Sequence, residues 1–157
     1  MKLYLIRHAI AAEAADGPDE ARALTREGRA RFEECVRGLA QLEVRLDRIV
    51  HSPLLRAVQT ADLLRPLLQG TSAVSGHLAA QPSEALLAEL AGERVAAVGH
   101  EPWLGELAAW LVTSQRAWGP RFSFEKGSVA LLEGELEPGA MHFSALLPPS
   151  ALRKLGR

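Results

Sequence analysis

The chain has 157 residues, 48% of them hydrophobic and 24% charged, with a formal net charge of −1. That is the composition of a soluble domain long enough to bury a core of its own. The near-neutral balance argues against nucleic acid, which rewards a clearly basic face, and no apolar run approaches the ~20 residues of a membrane helix.

Residues 2–6 read as a short apolar strand, cut off by Arg7-His8 and too short for a signal-peptide core. Residues 11–23, rich in Ala, Asp, Glu and Gly, read as a surface loop. Thr25 is a good N-cap, and the helix it opens places Phe32, Cys35, Val36, Leu39 and Leu42 on one face. Cys35 is the only cysteine, so no intramolecular disulfide can form, and its place in that stripe makes it a core residue. Arg48-Ile49-Val50-His51 is a second strand candidate. Ser52-Pro53 pairs a capping residue with proline at a first helical position. The helix expected there buries Leu54, Ala57, Val58, Ala61, Leu64 and Leu68.

A weaker strand falls near Ala73-Val74 and a helix at residues 83–90. Val95-Ala96-Ala97-Val98 is an unalternated apolar run, as in a strand covered on both faces. After Gly99-His100-Glu101-Pro102, a helix turns Trp103, Leu104, Leu107, Ala108 and Leu111 inward. Residues 128–132 and 142–147 read as late strands, joined as a hairpin through Glu137-Pro138-Gly139. The basic end, Arg153-Lys154-Leu155-Gly156-Arg157, reads as a solvated tail, and Trp118 and Phe122 as core residues. Strands alternating with helices define an α/β fold. The expectation is a three-layer sandwich, a mainly parallel sheet flanked by helices, forming one domain over residues 1–157. The chain is expected to be cytoplasmic, with neither nucleic acid nor membrane as partner; nothing in the sequence fixes its oligomeric state.

Three segments carry chemistry, and each follows an expected strand: Arg7-His8, Ser52-Pro53-Leu54-Leu55-Arg56 and Gly99-His100-Glu101-Pro102. Open α/β sheets bind ligands along the C-terminal edge of their strands, so residues 7, 8, 56 and 100 can converge there. Arg56, in the first turn of a helix, sits where the macrodipole disfavours a cation; a bound dianion reverses that cost. Two guanidiniums offer planar forks that match phosphate oxygens. Two histidines between two arginines make a poor divalent-metal site and a good phosphoryl site. Taken singly, the Arg-His pair reads as solvated surface, Ser-Pro as capping and Gly-His-Glu-Pro as a turn. Their combination and order carry the signal. His51, His77 and His142 show no paired ligand spacing and read as structural or exposed.

Leu5-Ile6-Arg7-His8-Ala9, Ala23-Leu24-Thr25-Arg26-Glu27-Gly28, the run Ser52-Pro53-Leu54-Leu55-Arg56-Ala57-Val58-Gln59-Thr60-Ala61, and Val98-Gly99-His100-Glu101-Pro102 stand in a familiar order. Together they resemble the histidine phosphatase (phosphoglycerate mutase-like) superfamily, most of all its SixA phosphohistidine phosphatase branch. The resemblance implies that His8 is a nucleophile that becomes transiently phosphorylated. It implies that Arg7 and Arg56 clamp the phosphoryl oxygens, that His100 donates a further hydrogen bond, and that Arg22 reaches the substrate at the rim. No metal and no cofactor are implied; Lys126 receives no role.

Two departures matter. The usual Arg-His-Gly triplet reads Arg7-His8-Ala9. The glutamate that many relatives carry after the third strand, to protonate an alkoxide leaving group, has no clear equivalent; His77, Glu84 and Glu101 are the candidate substitutes. A missing acid favours phosphohistidine, whose imidazole leaves neutral after protonation by solvent, and a short chain leaves little room for a segment covering the site. A phosphohistidine-bearing protein is therefore the expected substrate. The alternatives are a phosphatase of small phosphomonoesters and, from another class, a phosphate-binding module without turnover.

Overall fold

The structure is a computed structural model that describes residues 1–14 and 17–157, so residues 15 and 16 of the expected 11–23 loop lie outside the described residues. Its strands are β1 Lys2–Arg7, β2 Leu46–His51, β3 Leu68–Val74, β4 Arg94–Gly99, β5 Val129–Gly134 and β6 Met141–Leu147. The helices are α1 Arg26–Gln41, α2 Leu55–Leu63, α3 Glu84–Glu89, α4 Trp103–Thr113 and α5 Pro149–Gly156. The six strands form one sheet in the order β3-β2-β4-β1-β5-β6. β3, β2, β4 and β1 run parallel, and β5 and β6 close the far side as an antiparallel hairpin. The sheet is mostly parallel and flanked by helices, as the sequence pattern predicts.

Strand alternation divides the apolar residues between two cores. Tyr4, Ile6, Ile49, Ala96 and Val98 face α1 and α2, with Phe32, Cys35 and Leu39 beneath them. Leu3, Leu5, Val50, Val95 and Ala97 face the other way, onto Leu86 of α3, Leu90 just past its end, and Leu104, Leu107 and Leu111 of α4. Burial on both faces explains why β1 and β4 read as unbroken apolar runs.

Several sequence expectations need correction. α2 starts at Leu55, not at Pro53, with Leu54 extended at its N-cap and no side-chain cap. It ends at Leu63 because Pro66 cannot continue an α-helix; a 3₁₀ turn, Arg65–Leu67, follows. Of its expected stripe, Ala57, Ala61 and Leu64 are buried, whereas Leu68 belongs to β3. Leu42 lies beyond the last turn of α1 and is 45% exposed. The basic C-terminus is not a tail. α5 packs on α1, with Leu152 fully buried, Arg153 Nε donating to Glu34 Oε2 at 2.6 Å, and Arg37 Nε donating to the Gly156 carbonyl at 2.8 Å. At the crossing, a Cβ on Gly38 would lie 2.1 Å from the Leu152 carbonyl oxygen, so glycine is what lets the helices meet. Trp118 is exposed, with the Arg121 guanidinium 5.8 Å over its ring, while Phe122 packs against the second core.

Candidate active site

Strand order decides which residues meet. β1 and β4 are neighbours with Arg7 opposite Gly99, and β2 and β4 with His51 opposite Val98. The residues just past these ends emerge side by side. The His8 amide donates to the Gly99 carbonyl at 3.1 Å and the Ser52 amide to the Val98 carbonyl at 3.0 Å. Position 8, position 52 and position 100, far apart in sequence, therefore share one edge, and the His8 and His100 rings lie 5.2 Å apart.

The loop after His8 is held from two sides. Thr60, fully buried on α2, donates to the Arg56 carbonyl at 2.7 Å and accepts the Ala9 amide at 3.0 Å. On the other side Thr25 caps α1 by accepting the Gly28 amide at 2.8 Å and donates its own amide to the Ile10 carbonyl at 3.0 Å. A Cβ on Gly28 would fall 2.1 Å from that carbonyl oxygen, which explains glycine at this position.

His8 is 5% exposed. Its Nδ1 lies 2.7 Å from the Ala9 carbonyl, which can only accept, so Nδ1 carries a proton and Nε2 is left with a free lone pair. Burial, opposed by that hydrogen bond and reinforced by the charges of Arg56, Arg7 and Lys126, pushes its pKa down to about 4. His8 is thus neutral at physiological pH. His100, 6% exposed, is pushed down to about 3, first by burial and then by His8 and Arg56. Its Nε2 lies 2.7 Å from Ser52 Oγ.

Arg7 Nη1 donates to the Phe124 carbonyl at 2.9 Å, and the Phe124 amide donates to Glu101 Oε1 at 3.3 Å. Arg56, 7% exposed, donates Nη1 to the Asp19 carbonyl at 2.9 Å and Nη2 to Asp19 Oδ2 at 3.1 Å. Among the described residues, five buried polar side-chain atoms have no partner, and three of them are Arg7 Nε, Arg56 Nε and His100 Nδ1. Buried donors normally find partners. These three belong to the residues expected to bind the phosphoryl group; the His100 ring lies 5.2 Å from that of His8, and the charges of Arg56 and Arg7 reach His8.

Arg22 joins this cluster only at second hand. Its Nη1 donates to Asp19 Oδ1 at 2.9 Å and its Nε to the Ala12 carbonyl at 2.7 Å, so Asp19 bridges Arg22 and Arg56. Sequence reading missed Asp19. The Asp19–Arg22 spacing of three is a legible signal, but the Arg56 contact spans 37 positions and leaves no trace in the sequence. Of the candidate acids, His77 pairs with Glu89 at 3.2 Å, Glu84 is exposed in the first turn of α3, and Glu101 accepts two backbone amides, from Gly105 and Phe124. Burial raises the Glu101 carboxyl above the usual range, against those two hydrogen bonds. Lys126 adds its charge to the field on His8, and the neighbouring Gly127 amide donates to both the Arg7 and His8 carbonyls at 3.1 Å. His51 is half-buried against the Ser52 carbonyl and His142 is exposed.

A neutral imidazole with a free lone pair, a second imidazole 5.2 Å away and two arginines with unpartnered Nε atoms whose charges reach it, at the carboxyl edge of a parallel sheet, suit phosphoryl chemistry. Comparison with known proteins agrees. The model of the histidine phosphatase superfamily (branch 1) matches residues 3–78, a span holding Arg7, His8 and Arg56. An uncharacterized protein of a Picosynechococcus species is 37% identical over 124 residues, covering 73% of this chain and 75% of its own. The structure of the protein histidine phosphatase SixA complexed with tungstate is similar at a TM-score of 0.82 and 25% identity, over 97% of this chain and 99% of that one. A candidate phosphohistidine phosphatase SixA of Agrobacterium tumefaciens matches at a TM-score of 0.76 and 25% identity, over 94% and 97%. The chain belongs to the histidine phosphatase superfamily and is a SixA-like phosphatase. Among the described residues no helix is long and apolar enough to cross a membrane.

Proposed function

We propose that this phosphatase removes the phosphoryl group from phosphohistidine on a protein, using His8 as the nucleophile. The observation that carries the reading is a histidine whose Nε2 lone pair is free, with the His100 ring 5.2 Å away, the charges of Arg7 and Arg56 reaching it, and Arg7 Nε, Arg56 Nε and His100 Nδ1 buried without partners. In the first step His8 Nε2 attacks phosphorus. The P–Nε2 bond forms, the phosphorus–nitrogen bond of the substrate breaks, and the departing imidazole takes a proton from solvent. The Ala9 carbonyl holds the Nδ1 proton and stabilises the positive charge of the phosphorylated ring. Arg7, Arg56 and His100 hold the phosphoryl oxygens, whose charge the transfer redistributes. Two guanidiniums supply that charge without a metal. Water then attacks the phosphohistidine, releasing phosphate and returning His8 to its neutral form.

The test uses purified protein against a phosphohistidine protein and against p-nitrophenyl phosphate, with EDTA present and His8→Ala as control. Fast, His8-dependent loss of phosphohistidine with slow ester cleavage is the expected result. Single-turnover labelling should leave phosphate on His8 and none on the variant. The opposite substrate preference would make the chain a phosphatase of small phosphomonoesters. Phosphate binding without labelling of His8 would make it a binding module. The expected compartment remains the cytoplasm, where phosphohistidine proteins meet a metal-free phosphatase.

A further inference from the structure

Ser52 occupies the position where the sequence predicts a helix cap, yet it does not cap α2. Its side chain is fully buried, and its Oγ has two neighbours: the Leu54 amide at 3.2 Å and His100 Nε2 at 2.7 Å. The amide can only donate, so Oγ accepts from it. The hydroxyl has a single hydrogen of its own to place. If His100 carried its ring proton on Nε2, that proton would also point at Oγ. The hydroxyl hydrogen would then have nowhere to go in a fully buried position, and buried donors left so are strongly disfavoured. With the ring proton on Nδ1, the Leu54 amide donates to Oγ and the Oγ hydroxyl donates to Nε2, so Nδ1–H is the one group left without a partner, whereas the opposite tautomer leaves two, the hydroxyl hydrogen and the Nδ1 lone pair. Nδ1 is the buried atom of His100 that lacks a partner.

We infer that Ser52 is a positioning residue that fixes His100 as the Nδ1–H tautomer, so that a neutral ring presents a hydrogen-bond donor to a phosphoryl oxygen instead of a lone pair. This deepens the phosphoryl-transfer reading and rests on it. Two histidines 5.2 Å apart then carry opposite duties. A carbonyl holds the His8 proton on Nδ1 and frees Nε2 to attack; a hydroxyl occupies His100 Nε2 and turns its Nδ1–H to the ligand. An opposite tautomer at His100 would aim a lone pair at an anion.

The tautomer can be read without any turnover. Protein carrying 15N-labelled histidine, with His100 assigned by comparison with His100→Gln, should show His100 protonated at Nδ1 and bare at Nε2 in long-range 15N–1H spectra near neutral pH. Adding inorganic phosphate should shift the Nδ1–H proton downfield. Ser52→Ala should lose the fixed pattern at His100 while leaving His8 unchanged, and should weaken inorganic phosphate binding about tenfold; Ser52→Thr should restore both. A wild-type His100 protonated at Nε2 overturns the inference, as does a Ser52→Ala variant that keeps the Nδ1–H pattern or the wild-type affinity. Should Ser52→Ala not fold, the wild-type spectrum decides alone. An Nδ1–H signature in a protein that neither binds phosphate nor hydrolyses phosphohistidine would sink the proposed function and leave the role of Ser52 standing.

Discussion

Asp19→Ala should tighten the binding of inorganic phosphate. The Asp19 carbonyl and carboxylate take Nη1 and Nη2 of Arg56, at 2.9 and 3.1 Å. A phosphoryl group approaching that end of the guanidinium must displace the carboxylate or share the arginine with it. The strength of the pair sets the size of the effect. The Arg56 side chain is 9% exposed but that of Asp19 is 55% exposed, so solvent screens the pair and its net worth falls in the range of exposed ion pairs, ~0.5–1 kcal/mol. Removing the carboxylate should therefore lower the phosphate Kd by roughly two- to fivefold. Titration calorimetry of wild type, Asp19→Ala and Asp19→Asn with inorganic phosphate measures this, and the gain should shrink as added salt screens the charge. Asp19→Asn separates charge from hydrogen bonding. Equal or weaker binding by both variants would refute the reasoning, because Asp19 would then be supporting Arg56 in a phosphate-ready position instead of competing for it.

Arg56→Ala should cost roughly 2–4 kcal/mol of transition-state stabilisation, by analogy with the loss of an oxyanion donor; a fall in kcat/KM below tenfold would make Arg56 a mainly structural residue. Because His8 and His100 are pushed from an ordinary 6.5 to about 4 and about 3, the unfolded chain binds more protons than the folded one as pH falls through 6.5. Stability should thus drop from pH 6.5 to about 4 for His8 and on to about 3 for His100, by at most ~1.4 kcal/mol per pH unit for each group, and replacing both histidines by Gln should flatten that limb of a denaturation series. Gly38→Ala should destabilise by about 1–3 kcal/mol through overpacking, since its Cβ would meet the Leu152 carbonyl oxygen at 2.1 Å; an unchanged melting temperature would mean that α5 separates freely from α1.

The site was legible in the sequence where its residues follow strands. β1 and β4 are buried on both faces and so announce themselves as apolar runs, and Arg7, His8 and His100 are fixed by where those runs stop. Arg56 and Thr60 share a helix face at a spacing of four, which the structure uses to tie the arginine to the loop after His8. Ser52 was legible as a residue but misread as a cap, because a sequence shows a local capping pattern and hides a hydrogen bond to a ring 48 positions away. Asp19 escaped for the same reason. α5 was missed because Pro148 and Pro149 followed by a basic run look like an ending. The helix gains its place from Leu152 and the ion pair of Arg153 with Glu34 across the gap.

The leaving-group proton bears on the choice of substrate. Among the described residues Asp19 is the carboxylate in direct contact with Arg56, and hydrogen bonds from Arg22 and then Arg56 hold its pKa below the usual range. It is ionised at neutral pH and has no proton to give. Glu101 is held above the usual range by burial, but both its oxygens are committed to backbone amides. An alkoxide leaving group needs a proton delivered by the enzyme, since its conjugate acid is about as weak as water. An imidazole does not, because solvent can protonate it before the phosphorus–nitrogen bond breaks. On the proposed reading of His8 as nucleophile, a site with two arginines and, among the described residues, no carboxyl free to deliver a proton suits phosphohistidine better than phosphate esters.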